Sequence, residues 1–331
     1  MMEFIKNSKI DFVGKRYIAF AVSGVLSLLG IIAIIQIGLG NANMGVDFAG
    51  GTLVEIGFDK PVNMAEIRGI LSAKGMDDVE LQEVGDTGRI LIRTRKSDIG
   101  KLTAKINNIF KERFKTDNPF KIERTEEVGP KIGAELKGKA LGAIFWAIIA
   151  LMLYIAFRFK QPRFGVGAAI ATVHDVLAVT GIYWVCHREV NLLLITALLT
   201  LAGYSLTDTV VVFDRIRENL RLRRKEAYDV IINSSINEVL SRTIVVSTTV
   251  LIVLIALLVK GSQVTFDFCW VLIIGVVIGT YSSIFVASPI LIEWDKLMMK
   301  KSKVPDSATE KIRVQNTVTA SGSKVIGKGN R

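Results

Sequence analysis

The apolar positions of this 331-residue chain gather into six long runs, at 17–37, 140–157, 164–185, 192–213, 244–259 and 268–291. A helix needs about 20 mostly apolar residues to cross the hydrocarbon layer of a bilayer, so the pattern predicts six transmembrane helices. The first run is longer than the apolar core of a secretory signal, and no small-residue cleavage site follows it; it reads as an uncleaved anchor. Between the first and second runs the period changes. Residues 52–58 alternate as a strand does. Asn63 can cap a helix over 64–74 that ends near Gly75. Residues 79–84 and 89–94 are two more strands around a turn at 85–88. Ser97 can cap a second helix to about Phe114, and 120–128 is the last strand.

The order β-α-β-β-α-β is the ferredoxin-like pattern. The fold class is therefore an α-helical polytopic membrane protein of six transmembrane helices, with one extracytoplasmic α+β ferredoxin-like domain between helices 1 and 2. That domain has no histidine and no cysteine, and nothing in it looks catalytic.

Charge sets the orientation. The formal net charge is +11. In a soluble chain this would raise nucleic acid as a partner. Here the excess sits in short segments on one side of the runs, as the positive-inside rule describes, and no nucleic-acid partner is expected. Lys6, Lys9, Lys15 and Arg16 precede the first run, and Arg158, Lys160 and Arg163 separate the second from the third. Arg215, Arg217, Arg221, Arg223, Arg224 and Lys225 follow the fourth; Lys296, Lys300, Lys301 and Lys303 follow the sixth. Both termini are therefore expected in the cytoplasm. The plan is a cytoplasmic N-terminus (1–16), helix 1 (17–37), the external domain (38–138), helices 2–6 (139–295) and a basic disordered tail (296–331). Within it, 214–241 carries apolar residues at helical spacing and reads as an amphipathic helix on the inner membrane surface. Cys186 and Cys269 both fall near the outer face. A bridge needs their helix ends to be neighbours; two separate thiols is the simpler reading.

Polar residues inside the runs carry the candidate chemistry. A carboxyl at membrane depth costs about 2.5–3.5 kcal/mol on insertion scales and by default marks a function. Asp208 lies about five residues from the cytoplasmic end of its run, ~7.5 Å deep at the helical rise. His174 and Asp175 sit at the middle of the third run, and Arg242, followed by Thr243, opens the fifth. A carboxyl that alternates between apolar surroundings and an arginine takes up and releases a proton, the basis of a relay. Alternatively, Asp208 is a structural carboxyl satisfied by Ser205, Thr207 or a neighbouring helix; His174 makes an interhelical hydrogen bond; Arg242 anchors at the interface; and Asp214 with Arg215 is a helix-end surface pair. Gly275 and Gly279 form a small-xxx-small pair that permits close helix contact. The sequence has no Walker A loop, no H-E-x-x-H and no cysteine cluster with metal spacing, so the chain is expected to be no enzyme and to hold no cofactor, with protons as the coupling ion.

Five segments resemble the SecD/SecF family of the resistance-nodulation-division superfamily, and its SecF branch in particular. Gly45-Val-Asp-Phe-Ala-Gly-Gly51 resembles the GxDFxGG motif, which marks Gly45, Asp47, Phe48, Gly50 and Gly51. The segments Glu127–Leu136, His174-Asp175-Val176, Tyr204–Asn219 (with Asp208, Asp214 and Arg215) and Ser235–Thr243 are similar to later family motifs in the same order. Thr207 stands where the family usually has asparagine, and Val239 where a small polar residue is usual. The resemblance implies a partner of the SecD type, association with the SecYEG translocon, with YajC and SecA as further partners, and contact with exported polypeptides and membrane lipid in a bacterial cytoplasmic (inner) membrane. It also implies that Asp208 is the carboxylate of proton transport with Arg242 near it, while His174 and Asp175 carry over as motif positions. Two other classes fit the same spans: an exporter of small molecules or lipids, and a non-transporting scaffold of the translocase.

Overall fold

The computed structural model describes residues 9–84, 88–94, 101–114, 118–261 and 263–302. Of the expected turn at 85–88 only Gly88 is described, and the Ser97 cap lies outside the described residues; of the expected tail at 296–331, residues 296–302 continue the last helix and the rest lies outside the described residues.

Helix α1 covers Arg16–Gly38, and a single turn, α2 (Val46–Ala49), leads into strand β1 (Gly51–Phe58). Helix α3 (Met64–Ala73) starts where Asn63 accepts the Ala65 N–H at 2.8 Å, an N-cap that satisfies one orphan donor. It stops before Gly75, whose φ of 71° suits the left-handed turn after a helix. Strands β2 (Glu80–Val84) and β3 (Arg89–Thr94), helix α4 (Lys101–Phe114) and strand β4 (Phe120–Val128) complete the unit. The sheet order is β2-β3-β1-β4 and every neighbouring pair is antiparallel, which is the ferredoxin-like arrangement expected from the element order. Alternation along β1 sends Val54, Ile56 and Phe58 to the side of the helices, where they bury with Ile90, Ile92, Ile67, Leu71, Ile106 and Phe110. Each such side chain contributes about 1.5–3 kcal/mol by leaving water.

The rest of the chain is helical: α5 (Pro130–Phe159), α6 (Pro162–Val185), α7 (Leu192–Leu222), α8 (Tyr228–Lys260), α9 (Gln263–Ser282), a π-helical turn at Ser283–Ala287 and α10 (Ser288–Ser302). Pro130 and Pro162 open their helices, where a missing N–H leaves no bond unmade. Six helices are long and apolar enough to cross a membrane, counting α9 through α10 as one, so this is a multi-pass membrane protein. Helices α6, α7 and α9 are mostly buried, whereas α1, α5 and α8 leave most of their apolar side chains outward, as lipid contact requires.

The structure draws several bounds differently from the apolar pattern. Helix α5 begins nearly three turns before the second run, because its polar first turns pack against α2 rather than ending in a loop. Residues 214–241 form no separate surface helix. They complete α7 and begin α8, and Ile216, Ile232, Ile236 and Leu240 bury against Phe159, Phe164, Phe213 and Leu291. The apolar stripe had the period of a membrane-surface helix but found a protein partner. The sixth run is interrupted by the π turn, where the Ser288 hydroxyl donates to the Ser283 carbonyl at 2.9 Å. Cys186 is exposed and Cys269 buried, and both are free thiols.

Candidate functional site

Helices α7 and α9 cross closely because glycine lines the contact. A Cβ at Gly275 would stand 2.6 Å from Leu201 Cδ1, and one at Gly279 would stand 3.0 Å from Ser205 Cβ. The small-xxx-small pair therefore does place two backbones together, and it does so where the polar side chains meet. A second crossing, of α1 on α6, uses Gly30 and Gly181: a Cβ on Gly30 would come 2.2 Å from the Leu177 carbonyl oxygen. The spacing within either helix gives no sign of that pair, since its members lie on different helices.

Asp175 is fully buried and is the hub of one polar cluster. Its Oδ1 lies 2.9 Å from His174 Nδ1. Its Oδ2 accepts the Ser282 hydroxyl of α9 at 2.8 Å and the Ser205 hydroxyl of α7. As a carboxylate it accepts from all three, with the histidine in its Nδ1–H tautomer. His174 Nε2 is buried and has no partner among the described residues. The Tyr281 ring lies 6.4 Å from the imidazole, and its hydroxyl donates to the Ala19 carbonyl of α1 at 2.9 Å and meets Ser23 Oγ at 3.2 Å.

Asp208 stands one turn beyond Ser205 on α7 and faces a different set. It is 5% exposed. The hydroxyls of Ser247 on α8 and Thr280 on α9 face its carboxyl, and the charge of Arg242 acts on it. Ser247 Oγ and Thr280 Oγ1 are 2.7 Å apart, and Tyr204 donates its hydroxyl to Ser247 at 3.3 Å. Asp208 Oδ2 is buried with no hydrogen bond from a described residue. The arrangement is a buried carboxyl with one unpartnered oxygen beside a short chain of rotatable hydroxyls, Tyr204, Ser247 and Thr280.

The predicted site residues are thus divided. His174 and Asp175 come together on α6, and Asp208 sits apart from them on α7 with its own partners. Arg242 is exposed and forms no ion pair within 4.0 Å among the described residues, so its influence on Asp208 is at a distance. Thr207 is exposed and donates to the Gly203 carbonyl of its own helix at 3.1 Å, away from Asp208. Ser247, Thr280 and Ser282 are the partners that sequence reading missed. A serine or threonine in an apolar helix usually bonds its own preceding turn, so only the neighbouring carboxyl distinguishes these three.

The motif residues at the two ends are structural. Asp47 Oδ2 accepts the Leu192 N–H at 2.9 Å, at the start of α7, where a carboxylate suits the positive helix end. Phe48 is buried among the bundle residues. Gly45 donates its N–H to the Val190 carbonyl at 2.8 Å. Gly50 holds φ at 72° with Pro130 Cα where a Cβ would need to be, and Gly51 continues at φ 119°. Beside them Arg93 of β3 pairs with Glu189 at 2.7 Å and bonds Asn43 Oδ1 at 2.9 Å, tying sheet to bundle. Burial pushes the Glu189 carboxyl up, and Arg93 pulls it partly back. At the other end Asp214 pairs with Arg158 at 3.2 Å, while Arg215, Asn219 and Arg223 all bond Glu238, stapling α7 to α8.

Fold and site together define a six-span membrane protein with a ferredoxin-like unit and buried carboxyls at the centre of its bundle. The model of the family described as protein export membrane protein SecD/SecF, C-terminal, matches residues 108–297, and that of the SecD/SecF GG motif matches residues 43–62. The protein translocase subunit SecF of Thermodesulfovibrio yellowstonii is 49% identical over 294 residues, 88% of this chain and 97% of that one. SecF of Endomicrobium trichonymphae is 39% identical over 92% of this chain and 97% of its own. The crystal structure of SecDF from Thermus thermophilus, described as a translocon-associated membrane protein, superposes with a TM-score of 0.78 at 32% identity. It covers 88% of this chain and 39% of the SecDF chain. This chain belongs to the SecD/SecF family, among its SecF translocase subunits, and spans about two fifths of the SecDF chain it matches.

Proposed function

We propose that the chain is the SecF half of a SecD–SecF pair in the bacterial cytoplasmic membrane, where it uses the proton gradient to assist polypeptide export through the SecYEG channel. Both termini lie in the cytoplasm and the ferredoxin-like unit lies outside. It is a non-enzymatic subunit without a bound cofactor; YajC, SecA, the exported polypeptide and lipid are its further contacts. The observation that carries the reading is Asp208, a carboxyl enclosed by α7, α8 and α9 with one buried oxygen left without a hydrogen bond and hydroxyls beside it. Arg242 is exposed on α8 in this chain alone, which suits a group shared with a second membrane subunit. A relay there needs a carboxyl that changes its charge, and a neutral isostere cannot.

The test is preprotein uptake into inverted membrane vesicles with and without a pH gradient. Asp208→Asn is expected to remove the gradient-dependent fraction and leave the remainder. If that fraction is unchanged, Asp208 does not couple protons to export.

A further inference from the structure

We propose that Asp175 is a positioning residue for the Asp208 site, not a second proton carrier; this rests on the reading of Asp208 as the proton-transport group. Asp175 lies on α6, and it reaches both helices that supply the Asp208 surroundings. On α7 it takes the hydroxyl of Ser205, one turn before Asp208. On α9 it takes the hydroxyl of Ser282, two residues after Thr280. The two carboxyls thus draw on the same helices, α7 and α9, but on different side chains.

The geometry explains why such a clamp is needed. Gly275 and Gly279 let α9 approach α7 closely, but glycine supplies no side chain to fix how far one helix slides on the other. Immediately after Ser282 the backbone widens into the π turn at Ser283–Ala287. A π turn shifts the register of every residue beyond it and is frequent at functional sites. Asp175 bonds the last α-helical residue before that turn, so it holds Thr280 on the Asp208 side of the irregularity. His174 completes the hub through Oδ1. With two hydroxyls and one imidazole around it, every partner of Asp175 is a side chain, and the hub sets relative helix position directly.

A carrier must have room to gain and lose its proton; a clamp must keep the same partners throughout. Asp175 is sealed at zero exposure with both oxygens hydrogen-bonded, whereas the buried Oδ2 of Asp208 has no hydrogen-bond partner among the described residues and so is left to take a proton. That contrast assigns the two roles.

The experiment uses the full chain with its SecD-type partner in proteoliposomes, and reads proton flux against pH together with the infrared carboxyl band that disappears in Asp208→Asn. Asp175→Asn and the double change Ser205→Ala with Ser282→Ala are compared with the wild type. Misplacement by about 1 Å can lower a positioned reaction by about a hundredfold, so both variants are expected to slow flux by about ten- to a hundredfold. Both should shift the Asp208 band and its titration midpoint, in the same direction. Residual flux that still depends on Asp208 supports the clamp. Two results overturn it: complete loss of flux in Asp175→Asn with the Asp208 band unmoved, which makes Asp175 a carrier, or an unaltered band and pH profile in both variants. Should Asp208→Asn itself leave flux intact, the underlying function fails, while the band shift still decides whether Asp175 positions Asp208.

Discussion

The Ser205 hydroxyl is bonded to Asp175 and not to Asp208, although it stands one helical turn before Asp208 on the same helix. One face of α7 therefore serves two carboxyls with separate partners. Asp208 depends on Ser247 and Thr280 from the next two helices, and Thr207 beside it points away. Ser247 joins the hydroxyls of Tyr204 and Thr280 beside Asp208, and an intramolecular hydrogen bond contributes about 0.5–1.5 kcal/mol, so Ser247→Ala is expected to lower proton flux by about threefold to tenfold. Thr207→Asn, on an exposed position, should stay within about twofold of wild type. Flux measured in parallel on the two variants checks the ranking; equal losses would contradict it.

The α7–α9 crossing leaves no room at Gly275. Gly275→Val is expected to force the helices apart and destabilise the protein by about 1–3 kcal/mol, as overpacking does. It should also weaken the contact of Thr280 with Asp208. Thermal unfolding in detergent reads the first effect. Gly203→Ala, with open space around its Cβ position, is the matched control and should be neutral.

Arg93 ties the sheet to the bundle through Glu189, Asn43 and the Met44 carbonyl. Removing one partner of a buried pair leaves the other charge uncompensated. Arg93→Ala is expected to cost about 3 kcal/mol and to raise amide exchange in β3 and in the segment 43–51 before exchange rises in α7. Exchange that increases uniformly over the chain would show the pair to be unimportant as a local tie.

Glu55 is buried on β1 with Oε1 unpartnered. Burial pushes its carboxyl up, the neighbouring Glu123 adds to the rise, and Arg124 and Arg89 oppose it. The folded sheet then holds a proton that the unfolded chain has released. Its contribution is intact below the ordinary glutamate range and is lost as pH rises through the elevated value. Glu55→Gln should therefore stabilise the sheet at neutral and alkaline pH and flatten its pH dependence. Amide exchange of β1 and β3 across pH, corrected for intrinsic rates, measures this; a variant as pH-sensitive as wild type would contradict it.

Much of the fold is legible in the residues. Six apolar runs give six spans, and the alternation of 52–58 with the Asn63 cap places the first strand and helix of the sheet unit. The lengths of α5, α7 and α8 were not legible, because hydropathy marks where a helix meets lipid and not where it ends. The stripe Ile216, Ile232, Ile236, Leu240 is amphipathic in the same way whether lipid or Phe213 covers it. In the site, Asp208, Asp175 and His174 stand out by their cost in an apolar run. Ser247, Thr280 and Ser282 do not, since a hydroxyl is cheap there, and their role arises only when three helices bring them to a carboxyl. Thr207 shows the converse: it is adjacent in sequence and absent from the site.

The central claim is that Asp208 carries the proton. The most direct test is proton flux through the purified pair in proteoliposomes under an imposed pH gradient, comparing wild type with Asp208→Asn and Asp208→Glu. The account predicts no flux above the lipid background for Asp208→Asn, and partial flux with an altered pH profile for Asp208→Glu, which keeps the ionisable group. Flux in Asp208→Asn equal to wild type would contradict it.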